Sequence, residues 1–396
     1  MLKMNWWIVF LAIFSLLSFT SEIFSGRWSM LDFEVYYRTA QRMFSGDEIY
    51  RIASDYYYIY KYAPTAGILF MPLTILPLWL AKIIYWIGLT FLLGFILQKL
   101  YEQINNENIN KTPLNKNAII FALLTILIHV HSELTLGQVN ILLLAFYVFI
   151  IFAIKKNKQI LAAFLLATSI FIKPFGIIFL PYLFLKKKYR LLLYITGFML
   201  LLFVLPLLFY PSFDSFIALN HAWINELSIE LGNKQELLSK ANHTIFSVLA
   251  RFTPIGFVLT SSVSQKIYQI LVLVAIGWLV FRLVRNKQSI ILEMSILIIL
   301  IPLFAATSKN AFVFAMPLAL YMIIHFKENS KLVKILTVFG CAFIGGNLYE
   351  IYGPDISMFL TEISIYSLGS ISLLTAAFIY SKKQKQRPRI SMNSPY

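Results

Sequence analysis

Cysteine is almost absent from this chain: Cys341 stands alone among 396 residues, inside an apolar run. No intrachain disulfide can form, and no Cys/His spacing for a structural zinc exists. Charge is sparse too, at 13% of residues, and acid is the scarcer sign, with 18 Asp and Glu against 34 Lys and Arg. No glycine-rich phosphate loop and no Rossmann pattern occurs, so nothing in the sequence signals a nucleotide site of either kind. There is no internal repeat of 20–50 residues, and the basic tail KKQKQRPR is the single low-complexity tract. Polar sequence is itself in short supply. Apolar residues make up 59% of the chain, against about 45–50% in soluble domains, which marks a polytopic membrane protein.

Apolar runs of spanning or near-spanning length fall at roughly 5–25, 78–98, 117–131, 137–154, 158–172, 174–185, 190–210, 266–285, 289–306, 310–326, 332–350 and 361–381. The expectation is an all-α integral membrane protein of about 12 transmembrane helices (10–13), one membrane domain over 1–381, and a basic cytoplasmic tail over 382–396. The first 25 residues carry no small-residue cleavage site, so the first run reads as a retained span. With the N-terminus inside, 22 of the 34 basic residues and only four acids lie on the inner side, a net of +18 there and −2 outside. Such a bias supports cytoplasmic N- and C-termini in a multi-pass protein of the plasma membrane. It also accounts for the net charge of +16 without nucleic acid, because the bases are spread over seven inner segments as membrane anchors.

Two stretches resist simple counting. PTAGILFMPLTILP (64–77) is apolar but carries three prolines, Pro64, Pro72 and Pro77, and proline both removes a backbone donor and breaks a helix. It reads as a juxtamembrane or re-entrant piece that returns to the outer face. The run 158–185 is split by Lys173-Pro174 and is basic at both ends, so it reads as a hairpin entered from inside. Arms of about 12–15 residues reach only roughly 18–22 Å, short of a ~30 Å hydrocarbon core. Lys173 at its tip is therefore expected below the outer lipid surface, in a cavity open to the outer leaflet. The outer loops are then 26–77 and 211–265, the second with an amphipathic pattern at Phe216, Leu219, Trp223 and Leu227.

The polar centre is the first of these loops. Residues 27–64 hold five acids (Asp32, Glu34, Asp47, Glu48, Asp55), five bases (Arg27, Arg38, Arg42, Arg51, Lys61) and eight tyrosines. Asp32 lies just past the first span between Trp28, Met30, Tyr36 and Tyr37, where burial raises and a nearby Arg lowers the basicity of a carboxylate. It is the candidate general base, or else an interfacial carboxylate paired with Arg27 or Arg38. Glu34 shares its face in an extended segment but points away from it in a helix. Asp47 and Glu48 follow the turn signal Ser45-Gly46 and are expected in water. Lys61, Lys173, Arg251 and Lys309 are outer-side bases in apolar contexts. They suit a phosphate if they converge, or snorkel to headgroups if they do not. Gln138 and Asn140, in LTLGQVN, can hydrogen-bond sugar hydroxyls or hold helices together. His129, His131 and Glu133 form a weak metal pattern, since two histidines two apart do not share a helix face; a structural or interfacial role is expected, and no metal site.

At this point the chain resembles glycosyltransferase family 87, within the C-type glycosyltransferase superfamily. The resemblance rests on the acid after the first span, the tyrosine-rich loop ending in KYAP, PLTILP, LTLGQVN, the KP of FIKPFG and ANHTIFSVLAR, and runs over roughly residues 1–330. It implies a GT-C-type fold and a polyprenyl-phosphate sugar as donor, used on the outer face of the membrane. It also implies an outer-loop carboxylate as base, which maps to Asp32 with Glu34 as neighbour. Lys61, Lys173 and Arg251, with Lys309 and Arg38, become candidates for the donor phosphate. Tyr62, Gln138, Asn140, Asn242 and His243 become candidates for sugar and acceptor. One departure concerns ATSKNAF, where many members carry a Trp or His and this chain has Thr307, Ser308, Lys309 and Asn310. The expected activity is inverting transfer of a hexose, mannose in the first instance, to a glycolipid or glycan acceptor. No cofactor and no divalent metal are demanded. The competing class is a transporter or lipid flippase, against which stand the lack of repeated halves and of a midplane charge.

The topology generates a direct test. Cysteines placed at Ser45 and Ser239 are expected to react with an impermeant thiol reagent in intact cells, and one at Ser391 is not. Labelling at Ser391 but not at Ser45 would invert the scheme.

Overall fold

The computed structural model describes residues 5–53, 59–107, 117–232, 237–285, 288–305 and 308–386. It is all-helical, with 82% helix and no strand among the described residues. The helices are α1 (Trp6–Phe24), α2 (Leu31–Ser45), α3 (Pro64–Ile68), α4 (Leu78–Asn106), α5 (Asn117–Leu136), α6 (Asn140–Lys155), α7 (Gln159–Ile172), α8 (Phe179–Leu185) and α9 (Tyr189–Val204). They continue with α10 (Phe213–Gly232), α11 (Ile245–Phe252), α12 (Ser262–Arg285), α13 (Ile290–Phe304), α14 (Met316–Ile324), α15 (Lys331–Gly345), α16 (Tyr349–Glu362) and α17 (Ile365–Gln386).

Five helices are long and apolar enough to cross a membrane by themselves, within α1, α4, α5, α9 with its 3₁₀ extension, and α12; the pair Ile351–Glu362 and Ile365–Lys383, bent by 57°, makes a sixth. The twelve expected spans are not all single helices of that length. Several of the apolar runs are helices of 10–17 residues, among them Asn140–Lys155, Gln159–Ile172, Pro174–Leu185, Ile290–Phe304 and Lys309–Ile324. Proline explains two of the interruptions. Lys173 is extended (φ −143°, ψ 134°) and Pro174 opens a 3₁₀ turn before α8, as the residue before a proline is pushed out of helical geometry. The 64–77 stretch likewise forms only the short α3 and a 3₁₀ turn at Met71–Ile75.

The core lies in α5, α6, α13 and α14. Every residue from Ile291 to Leu303 is buried, whereas α12 is almost wholly exposed on the outside of the bundle. At the other end of α13, Glu293 meets Lys186 at 2.6 Å and the Tyr182 hydroxyl at 2.7 Å. Both loops expected on the outer side contain helices among the described residues. The amphipathic stretch in the second loop is α10, which buries Phe216 and Leu219. Glu226 of the same helix reaches Arg51 of the first loop at 2.6 Å.

The helix that organises the site is α2. Met30 turns the chain with a left-handed backbone (φ 47°), and Gly46 (φ 75°) ends the helix with N–H groups returning to Arg42 and Met43, a glycine-capped terminus. Phe33, Tyr36, Tyr37, Ala40 and Met43 fall on one face and are buried, so α2 lies against the bundle instead of projecting into water. Asp32 and Glu34 both occupy its first turn, where the helix dipole favours negative charge.

Candidate active site

Because α2 is helical, its two carboxylates diverge. Glu34 turns to Lys82 of α4, at 2.8 Å, and to Arg38 one turn along, at 2.6 Å. Burial opposes its charge, but the hydrogen bonds from Lys82 and Arg38 and their charges outweigh burial and hold its pKa below the ordinary Glu value. Glu34 and Arg38 thus serve each other and Lys82, an ion-pair role in place of the base and phosphate roles expected for them. Lys82 was hidden in the sequence as a base at the start of an apolar span.

Asp32 has the opposite environment. It is half-buried, and burial raises its pKa above the ordinary Asp value, against the opposing charge of Lys173, a hydrogen bond from Gln138 and the charge of Lys61. Gln138 Nε2 donates to Asp32 Oδ2 at 2.5 Å. The two neighbouring acids are pushed apart, which is how one carboxylate becomes a proton acceptor while the other stays a fixed charge.

The Gln138 contact is built by a glycine. Gly137 has φ +68°, and a Cβ there would lie 2.5 Å from Phe33 Cβ and 3.2 Å from the Phe33 nitrogen. Only a glycine lets the α5–α6 turn approach the first turn of α2 so closely. The turn is fastened by the Gln138 N–H on the Glu133 carbonyl at 3.0 Å and by the Tyr85 hydroxyl on the Gln138 carbonyl at 3.1 Å.

Lys173, at the break after α7, completes the arrangement. Its Nζ donates to Gln138 Oε1 at 3.1 Å and to Asn140 Oδ1 at 3.0 Å, and stands 5.7 Å from the ring centre of Tyr62 and 5.6 Å from that of Phe175. Tyr62 is held by its hydroxyl against Tyr36 at 3.0 Å and by its carbonyl, which accepts from Tyr50 at 2.7 Å. Asp32, Gln138, Lys173, Asn140 and Tyr62 therefore share one site, with Lys61 exposed beside it. Asn140 itself is buried.

A model of "Glycosyltransferase family 87" matches residues 60–308. The chain belongs to glycosyltransferase family 87. It is accordingly a glycosyltransferase. No curated protein matches it. The matched segment of this family 87 glycosyltransferase takes in Lys61, Tyr62, Gly137, Gln138, Asn140 and Lys173, and begins after α2, so Asp32 enters the site by geometry alone.

Other expected site residues lie elsewhere. Arg251 does not join Lys173: its guanidinium donates to the carbonyls of Glu362 at 2.6 Å and Asn242 at 3.1 Å, and to the Ser364 and Ser247 hydroxyls. It fastens α11 to the α16–α17 bend. His243 bonds Ser364 at 3.0 Å, and burial with the charges of Arg251 and Lys309 brings its pKa down to about 4, so it is neutral at pH 7. The Asn242 side chain accepts from Thr244 in a local turn. These residues and exposed Lys309 belong to a second group beside Phe312 and Tyr366. His129 packs between those same two rings, and no metal-binding cluster occurs among the described residues. Asp47 and Glu48 are exposed as expected, whereas Asp55 and Thr307 lie outside the described residues. A cavity of about 720 Å³ between α1 and α4, lined by Trp7, Phe19, Trp86 and Phe95, is apolar and contains none of the site residues.

Gly137→Ala is the substitution that tests the close approach. The left-handed backbone alone would cost about 1–2 kcal/mol, and Phe33 must move, taking Asp32 with it. Both the melting temperature and the transfer rate should fall; a variant unchanged in either would show that the turn and α2 can separate without consequence.

Proposed function

We propose that this family 87 enzyme transfers a hexose, mannose in the first instance, from a polyprenyl-phosphate sugar to a hydroxyl of a lipid-linked or glycan acceptor. In this reading the fold is of the GT-C type, with about twelve membrane passages and the site on the outer face of the plasma membrane. The observation that carries it is the Asp32–Gln138–Lys173 arrangement: a half-buried carboxylate of raised basicity and an ammonium, joined by one amide and set beside a tyrosine ring.

The chemistry divides between them. Asp32 Oδ2 is occupied by Gln138, while Oδ1 has no hydrogen-bond partner among the described residues and can accept the acceptor's hydroxyl proton. The acceptor oxygen then attacks the anomeric carbon from the side opposite the phosphate, with inversion. The anomeric C–O bond breaks and its electron pair leaves on the polyprenyl phosphate. Lys173, with Lys61 nearby, stabilises that developing charge. The aromatic wall of Tyr62 offers an apolar face to the sugar ring. The reading asks for no cofactor and no divalent metal, because the cations come from side chains.

Incubation of the purified protein with radiolabelled polyprenyl-phosphate mannose and a membrane lipid extract tests the activity, and failure to label any product with mannose or another hexose donor would reject it. Asp32→Asn keeps the shape but removes proton acceptance, and should slow transfer by roughly 10²–10⁴-fold with donor binding retained. A near-normal rate in a donor-binding Asp32→Asn protein would eliminate Asp32 as the base.

The pH profile gives a further prediction. Activity needs ionised Asp32, so its acid limb should lie above the ordinary Asp range. Lys173 lowers the Asp32 pKa, so Lys173→Ala should move the acid limb of kcat/KM to higher pH while reducing the rate. A limb that stays in place would mean that the titrating group is not Asp32.

A further inference from the structure

The polar chain does not stop at Lys173. Asn140, which accepts from Lys173 through Oδ1, donates its own Nδ2 to Glu133 Oε1 at 2.6 Å, and its backbone N–H to Glu133 Oε2 at 3.0 Å. Glu133 is wholly buried, at 0% exposure. We infer that Glu133 is a positioning residue for Lys173, acting through the Asn140 amide; the inference rests on the glycosyl-transfer reading of the same site.

Hydrogen-bond polarity makes the link: both Glu133 oxygens accept from N–H groups of Asn140 and an ammonium only donates, whereas a carboxamide does both from opposite ends. Between Glu133 and Lys173 the Asn140 amide therefore has one orientation, oxygen toward the ammonium. Gln138 has one orientation for the same reason, between Lys173 and Asp32. Two of the three N–H bonds of Lys173 are thereby assigned to fixed acceptors, which leaves the third for an incoming phosphate oxygen. Replace the Glu133 carboxyl group by an amide and the Asn140 amide can present either end. Lys173 then loses an acceptor, and its remaining anchor draws it toward Asp32.

The plainer role for Glu133 is capping. Its carboxylate sits at the first N–H groups of α6, accepting from Asn140 and Ile141, and a carboxylate there stabilises a helix. Capping predicts a loss of stability that does not depend on the side chains of Asn140 and Lys173. Positioning predicts a loss of turnover that vanishes once either of them is gone. The sequence offers Glu133 only as the third member of a weak His129/His131 pattern, and that pattern obscured the pairing with Asn140 seven residues on.

A double-mutant cycle separates the two roles. Glu133→Gln keeps the volume and one acceptor for the α6 N-terminus. It should lower kcat by about 10–100-fold, the range of a small misplacement of a catalytic group, with a smaller change in the donor KM. In the Glu133→Gln/Asn140→Ala and Glu133→Gln/Lys173→Ala doubles the rate should be within about twofold of the Asn140→Ala and Lys173→Ala singles. Independent, multiplicative losses would overturn the inference, as would a Glu133→Gln single with wild-type kcat. If Glu133→Gln does not fold, Glu133→Asp, which keeps the charge but shortens the reach, takes its place with the same expected coupling. Binding of undecaprenyl phosphate to the detergent-solubilised wild type, followed by thermal stabilisation, needs no turnover. A wild type that neither binds it nor transfers any sugar refutes the functional reading and the inference together. A wild type that does both, beside additive doubles, refutes only the role of Glu133.

Discussion

The site depends on one ammonium, that of Lys173, placed at the break between α7 and the 3₁₀ turn before α8. Two carboxamide oxygens hold it, and each amide is hydrogen-bonded in turn to a carboxyl group, Gln138 to Asp32 and Asn140 to Glu133. Direct ion pairing would have neutralised Lys173 and closed both Asp32 and the phosphate side. The Glu34–Lys82–Arg38 group, a few residues from Asp32, shows what direct pairing does: its carboxylate is held as an anion, with contacts at 2.6 and 2.8 Å. Interposing Gln138 instead leaves one oxygen of Asp32 open while Lys173 still restrains its basicity.

This arrangement constrains the surrounding fold. Gln138 reaches Asp32 only because Gly137 brings the α5–α6 turn against Phe33, and Lys173 reaches Gln138 only because Pro174 stops α7 at that level. The loop before α3 is tied to the same place by the Ala63 N–H on the Phe171 carbonyl at 3.3 Å, which sets Tyr62 beside the ammonium. Three breaks in regular helix therefore converge on one point. The break at Lys173-Pro174 also accounts for the shortness of α7 and α8.

Some of this was legible in the sequence because local rules decide it. The Lys173-Pro174 break follows from proline sterics, the failure of 64–77 to span follows from three prolines, and the exposure of Asp47 and Glu48 follows from a Ser-Gly turn. The alternation of acids at Asp32 and Glu34 could be resolved only by knowing that α2 is a helix, and a tyrosine-rich loop gives no strong period from which to read one. Arg251 was indistinguishable from Lys173 as an outer-side base in apolar surroundings. What separates them is tertiary: Arg251 meets the Glu362 carbonyl and the Ser364 hydroxyl at the α16–α17 bend, more than a hundred residues along the chain. Lys82 was masked in the same way, since its partner Glu34 lies 48 residues earlier.

The second polar group, around Arg251, His243 and Ser364, bears on how the two ends of the chain cooperate. Arg251 joins α11 to the α16–α17 bend by hydrogen bonds to the Glu362 carbonyl and the Ser364 hydroxyl. His243 is neutral there, its pKa lowered by burial and by the nearby charges of Arg251 and Lys309. The group around Lys173 holds the half-buried Asp32 carboxylate, whereas the Glu362 carboxylate beside Arg251 pairs with Lys240. In the proposed reading, proton transfer therefore falls to the α2 side, where the acceptor hydroxyl meets Asp32 with the departing phosphate toward Lys173.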